Sequence, residues 1–162
     1  MNNFSYKKDA AEGKYKLGRI FTGLTKVPEL QKVFGSKIND IENVDVVLTN
    51  VSPFGKLEYA YINVPEGGSI HVGADYIKTG PEKYIYLDII HELTHIKQHW
   101  DGRELFDESF IYVDRPTEIE AYKVAVEAAR RIGLTHNEIC SYLEVPWCSK
   151  EDMKRLEKAV GL

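Results

Sequence analysis

The chain has 162 residues, 43% of them hydrophobic and 28% charged, with a formal net charge of −4. That is the balance of a globular protein able to bury a core, most simply as one domain spanning 1–162. A negative balance argues against generic attraction to nucleic acid or an acidic membrane surface, no apolar run approaches a bilayer span, and no secretory leader follows Met1, so a cytoplasmic location is expected.

Met1 to Gly23 is locally basic, with Lys7, Lys8, Lys14, Lys16 and Arg19 against Asp9 and Glu12, which predicts a solvated arm or a short helix. Pro28 to Phe34 predicts a short helix opened by proline and stopped at Gly35, with Leu30, Val33 and Phe34 facing the core. The period then changes to that of strands. Val44–Val51 is rich in β-branched residues and ends at the turn Ser52-Pro53-Phe54-Gly55; Leu57–Val64 follows; and after Pro65-Glu66-Gly67-Gly68, Ser69–Ala74 completes a predicted antiparallel meander. His71 on the third strand is a candidate contact to substrate or metal, and the strand's backbone could pair with an extended peptide.

A helix is predicted from Thr79 to Gly102, with Thr79 and Glu82 as a capping box, Pro81 in the first turn and Asp101-Gly102 as the stop. Asp88, His91, Glu92, His95 and His99 share one narrow arc of it, and Ile85, Tyr86, Ile89, Ile90, Leu93, Ile96 and Trp100 cover roughly the opposite side. His91-Glu92-Leu93-Thr94-His95 is the HExxH pattern: two imidazoles one turn apart reach one ion, and the glutamate beside them can take a proton from water.

Arg103 to Arg115 predicts an irregular segment with Phe106, Phe110 and Tyr112, either packed or forming a rim over the site. A second helix runs from Pro116 to Gly133, and Thr135 and Ser149 are N-caps of two short helices separated by Val145-Pro146-Trp147. The expected organisation is a 1–43 arm and short helix, a 44–133 catalytic core and a 134–162 helical hairpin. Cys140 and Cys148 lack CxxC spacing and are expected to be reduced thiols.

Two histidines need a further protein ligand and one open position. His99 lies about 12 Å of helical rise from His91, too far along an unbroken helix, and Asp101 lacks the glycine bend used by longer motifs. Glu118 and Glu120 remain. Glu118 shares its helical face with Ala121, Tyr122, Ala125, Ala128 and Ala129, where an idle charge would be costly; Glu120 sits with Lys123, Glu127 and Arg130. Phase therefore favours Glu118.

The segment His91-Glu-Leu-Thr-His95 together with Glu118-Ile-Glu-Ala-Tyr122 resembles the gluzincins, and at this size is more similar to minigluzincins and ImmA/IrrE-type peptidases. The resemblance covers about Val44 to Gly133. It implies a zincin-like α+β fold, with a small, mostly antiparallel sheet on the HExxH helix, then a glutamate helix and a helical C-terminus. It also implies Zn2+ held by His91, His95 and Glu118. Tyr122 departs from the pattern, standing where relatives carry an acidic or amide residue that supports a ligand histidine, a role Asp88 could partly fill.

The expected function is zinc-dependent peptide hydrolysis with Glu92 as general base and Tyr112, Tyr122 or His136 as oxyanion donor. The alternative is a regulatory or interaction protein on the same scaffold with a structural zinc. The partner is then a peptide or protein, with no nucleic acid or membrane, and the C-terminal segment could shield the cleft.

Overall fold

The computed structural model of the chain describes residues 1, 3–51, 62–65 and 68–162. In place of an arm, the N-terminal stretch forms β1 (Ser5–Tyr6), β2 (Gly13–Lys16), one helical turn α1 (Leu17–Ile20) and β3 (Phe21–Thr22). Phe4, Leu17, Ile20 and Phe21 are buried. Two of the lysines that suggested a solvated arm, Lys14 and Lys16, are the outward positions of β2, which alternates half-buried and exposed residues at a sheet edge, a common place for lysine. Four residues with two lysines carry too weak an alternation to be recognised as a strand.

Proline opens α2 (Pro28–Phe34) as expected, and 3-10 turns over Gly35–Asn43 lead into β4 (Asp45–Leu48). With β5 (Ile62–Asn63) and β6 (Ile70–Val72) the main sheet has the order β2-β4-β6-β5. β2 pairs antiparallel with β4 and β5 antiparallel with β6, but β4 and β6 are parallel, with Val46 opposite Ile70 and Leu48 opposite Val72. The expected meander is thus not formed. Burial explains the order: Val46, Leu48, Ile70 and Val72 are shielded almost completely and take the centre, whereas the half-buried Ile62 and Asn63 take the edge. The expected turn at 52–55, residues 57–61 of the expected second strand, and Glu66 and Gly67 lie outside the described residues.

A helix the sequence did not reveal, α3 (Ala74–Thr79), precedes the long α4 (Glu82–Trp100). The Gly80 amide donates to the Tyr76 carbonyl at 2.7 Å, and a Cβ there would stand 2.5 Å from the Tyr76 ring, so only glycine fits the junction. The expected capping box is absent. Pro81 is the N-cap, and the Thr79 hydroxyl donates back to Asp75 of its own helix at 2.9 Å. At the other end Gly102 donates to His99 and Arg103 to Gln98, the paired bonds that close a helix on a left-handed glycine, here at φ 74°.

Two further features complete the chain: α5 (Pro116–Arg131), and the pair α6 (His136–Leu143) and α7 (Lys150–Ala159), whose expected N-caps Thr135 and Ser149 both form capping boxes. The fold is α+β, with α4 at its centre: between Ile85 and Ile96 only Asp88 is not buried. Ala121, Ala125, Ala128 and Ala129 give α5 a small-residue face, all buried, that lets it lie close against α4. Leu17 near the N-terminus and Leu156 near the C-terminus belong to one hydrophobic cluster. Among the described residues no helix is long and apolar enough to cross a membrane.

Candidate functional site

His91 and His95 stand one turn apart on α4, and Glu118 occupies the first turn of α5. Their side chains converge. The two Nε2 atoms are 3.0 Å apart, and Glu118 Oε2 lies 3.3 Å from that of His91 and 3.4 Å from that of His95. Tetrahedral zinc with bonds near 2.0–2.1 Å would hold its ligand atoms about 3.3 Å apart, so the spacing is that of a metal-binding set. All three residues are buried, and Glu118 Oε2 has no hydrogen-bond partner. Apart from the two imidazoles, nothing meets this buried carboxylate oxygen, a costly placement unless a cation neutralises it. This group could hold a metal ion.

Gln98 sets the presentation of His95. Its amide nitrogen donates to the Thr117 carbonyl at 3.0 Å and to Glu120 at 2.9 Å, which turns its carbonyl towards His95 Nδ1 at 2.7 Å. With a metal bound, Nδ1 would carry the proton and Nε2 would present its lone pair to the ion. His91 is placed differently. Its ring packs on Tyr122 with centroids 4.3 Å apart, and its buried Nδ1 has no hydrogen-bond partner. Asp88 does not supply that partner; it accepts from the Tyr76 hydroxyl at 2.6 Å and from Tyr142.

The electrostatics follow from burial. Desolvation holds His91 below its ordinary value, with the nearby His95 adding to this and Glu118 opposing. Burial also disfavours charge on His95, but Glu118, Glu92 and Gln98 outweigh it and raise His95 to about 9. Glu118 is correspondingly held far below the carboxylate range, its desolvation overcome by contact with both histidines. Burial pushes Glu92 up to about 8, with Glu118 and Asp88 adding and His95 and the Val64 backbone opposing.

These residues line a cavity of about 740 Å³. The β5 edge with Asn63 and Val64 forms one side, and Phe106 and Trp147 are exposed on the lining. Tyr112 and Tyr122 both line it and share a hydrogen bond of 2.9 Å, which leaves one O–H for a ligand. Burial raises both phenols, so they are protonated donors. Of the three expected oxyanion donors, His136 is not brought there: it is exposed at the start of α6, 3.6 Å from Cys140 Sγ.

The remaining candidates fall elsewhere. Glu120 is taken by Arg103 and Gln98. Asp101 pairs with Lys97. His99 is exposed, its ring close to the Gly68 backbone. His71 lies on β6 opposite Asn63 and joins neither the group nor the cavity lining. Cys140 and Cys148 are free thiols outside the group. Tyr76, Tyr142, Arg115 and Gln98 were not found from sequence; only Gln98, one turn beyond His95 on the same helix, left a signal there.

Comparison of the chain with family models, with curated proteins and with solved structures gives no match.

Proposed function

We propose that this protein is a zinc-dependent peptidase of the gluzincin type. The observation that carries the proposal is the convergence of His91 Nε2, His95 Nε2 and Glu118 Oε2 at ligand spacing, with the buried Glu92 beside them on an open cavity. When bound, zinc would supply Lewis acidity to a water molecule and to the scissile carbonyl. Glu92, on the turn between the two histidines, takes the proton of the attacking water and returns it to the leaving amine. Its raised value suits that exchange near neutral pH. The spare O–H of the Tyr112–Tyr122 pair donates to the developing oxyanion.

Peptide backbone would lie along the edge strand β5, which pairs only with β6 among the described residues and lines the cavity. The edge role expected for the third strand thus passes to the second. A purely structural zinc would call for a fourth protein ligand, and among the described residues none of Cys140, Cys148, His99 and His136 joins the group.

The test is direct. Purified protein should carry one zinc per chain and cleave unstructured peptides. Glu92→Gln should keep the zinc and lose roughly 10²–10⁴-fold in turnover. A Glu92→Gln protein that cleaves as before, or His95→Ala with unchanged zinc content, would overturn the assignment.

A further inference from the structure

Most of the polar side chains lining the cavity have partners. Asp88 is held by Tyr76 and Tyr142, and Tyr112 and Tyr122 bond each other. Glu118 Oε2 is accounted for by a metal. Among the charged lining groups with a buried, unpartnered atom, one has no such account. Arg115 lines the cavity, yet its side chain makes no hydrogen bond or ion pair to a described residue, and its Nε is buried without a partner. Asp107 is near enough to feel its charge but forms no ion pair with it. Three of the other arginines find carboxylates: Arg103 meets Glu120, Arg131 meets Glu29, and Arg155 meets Asp114 and Asp152.

A guanidinium is charged at every relevant pH and presents a planar fork of donors that fits a carboxylate. Leaving its Nε dry and unpaired is costly unless something else supplies the acceptor. Arg115 is the N-cap of α5, about 4.5 Å of helical rise ahead of Glu118. Its backbone is fixed, with its amide bonded to the Tyr112 carbonyl at 3.3 Å and its own carbonyl accepting from Ile119 at 3.0 Å. The unpaired guanidinium therefore stands beside the metal-binding group, on the α5 side of the cavity. Asp88 lines the same cavity from α4, one helical turn before His91.

We infer that Arg115 is a specificity-determining residue that binds a carboxylate of the substrate, which is either the C-terminal carboxylate of a short peptide or an acidic side chain close to the scissile bond. This rests on the reading of the cavity as a peptide-hydrolysing site and names which peptides it prefers. The acids Asp88 and Glu144 on the same lining sharpen the choice, because a carboxylate placed beside either of them meets like charge. A C-terminal carboxylate would make the protein a trimmer of peptide ends. An acidic side chain would make it an endopeptidase with an acidic preference.

The test uses the zinc-loaded Glu92→Gln protein, in which ligands persist, titrated by calorimetry with three probes: acetyl-Ala-Phe, its C-terminal amide, and acetyl-Glu-Phe amide. A carboxylate-bearing probe should bind at least about tenfold tighter than the neutral amide, as a charge-assisted pair allows. The probe that does so identifies the source of the carboxylate. Arg115→Gln should collapse that ratio to near one, and Arg115→Lys should restore part of it. Equal affinity for all three probes, no binding of any, or a ratio that survives Arg115→Gln overturns the inference, the last because the carboxylate would then be held by the metal. The outcomes separate from those for hydrolysis. Selectivity through Arg115 in a protein that cleaves nothing keeps this inference and sinks the peptidase reading. Cleavage indifferent to carboxylates does the reverse.

Discussion

Gln98 decides which nitrogen of His95 faces the metal group. Replacing it with leucine removes the acceptor at Nδ1 while keeping the volume, and zinc affinity should fall about 10–100-fold in a competition assay with a chromophoric chelator. Two neighbouring glutamates should behave unlike each other. Glu118→Gln should abolish stoichiometric zinc, whereas Glu120→Gln, which only loosens the bonds from Arg103 and Gln98, should keep it with a smaller loss of affinity. At this scale much was legible. The HExxH spacing and the helical phase of Glu118 depend on local geometry, which sequence encodes directly. Tyr142 and Arg115 could not be read in the same way, because only tertiary packing brings α6 and the N-terminus of α5 to the same cavity.

Among the elements, α4 carries both the core and the chemistry. Ile89→Ala, with no exposed surface to relax into, should cost about 2–5 kcal/mol in urea unfolding. The helix is braced from behind. Arg131 of α5 forks onto Glu29 of α2 at 2.7 and 2.9 Å and donates to the Tyr86 hydroxyl of α4 at 2.7 Å. Burial alone would raise Glu29, but the Arg131 bonds and charge, with Lys32 nearby, hold it below the ordinary carboxylate value. A carboxylate lowered in the folded state stabilises above its unfolded pKa and loses that contribution as pH falls through its folded one. Glu29→Gln should therefore destabilise by about 1–3 kcal/mol at pH 7, with Arg131 partly exposed, and the difference from the parent should shrink in the acid range below the usual carboxylate value. The elements themselves were largely visible in the sequence; their arrangement was not. Strand order followed from which strands were most deeply buried, and the cap at Thr79 failed because that residue ends α3, whose short run gives no clear period.

The whole molecule closes around the cavity from its C-terminal side. Tyr142, Val145 and Trp147 line it, Tyr142 packs at a tilt against Tyr84 with centroids 5.7 Å apart, and Leu143, Leu156 and Val160 are buried in the common core. The expected C-terminal hairpin thus closes the core and is also a wall of the cavity. Deleting 135–162 should abolish cooperative unfolding rather than release activity. Trp147→Ala, at a side chain 75% exposed, should leave the melting temperature within a degree or two and raise KM for apolar peptides roughly tenfold.

The metal group draws two ligands from α4 and one from α5, so an ion bound there would staple together helices separated in sequence by the whole of 101–115. Metal occupancy would then add to the stability of the fold. At free zinc a hundredfold above its dissociation constant the folded state gains about 2.7 kcal/mol, and thermal midpoints should climb with added zinc and drop with a chelator. Because the charged His95–Glu118 contact remains when the ion leaves, the chelated chain should loosen without unfolding. Scarcity of zinc would then be felt first as increased susceptibility to cleavage by other proteases, before any loss of secondary structure.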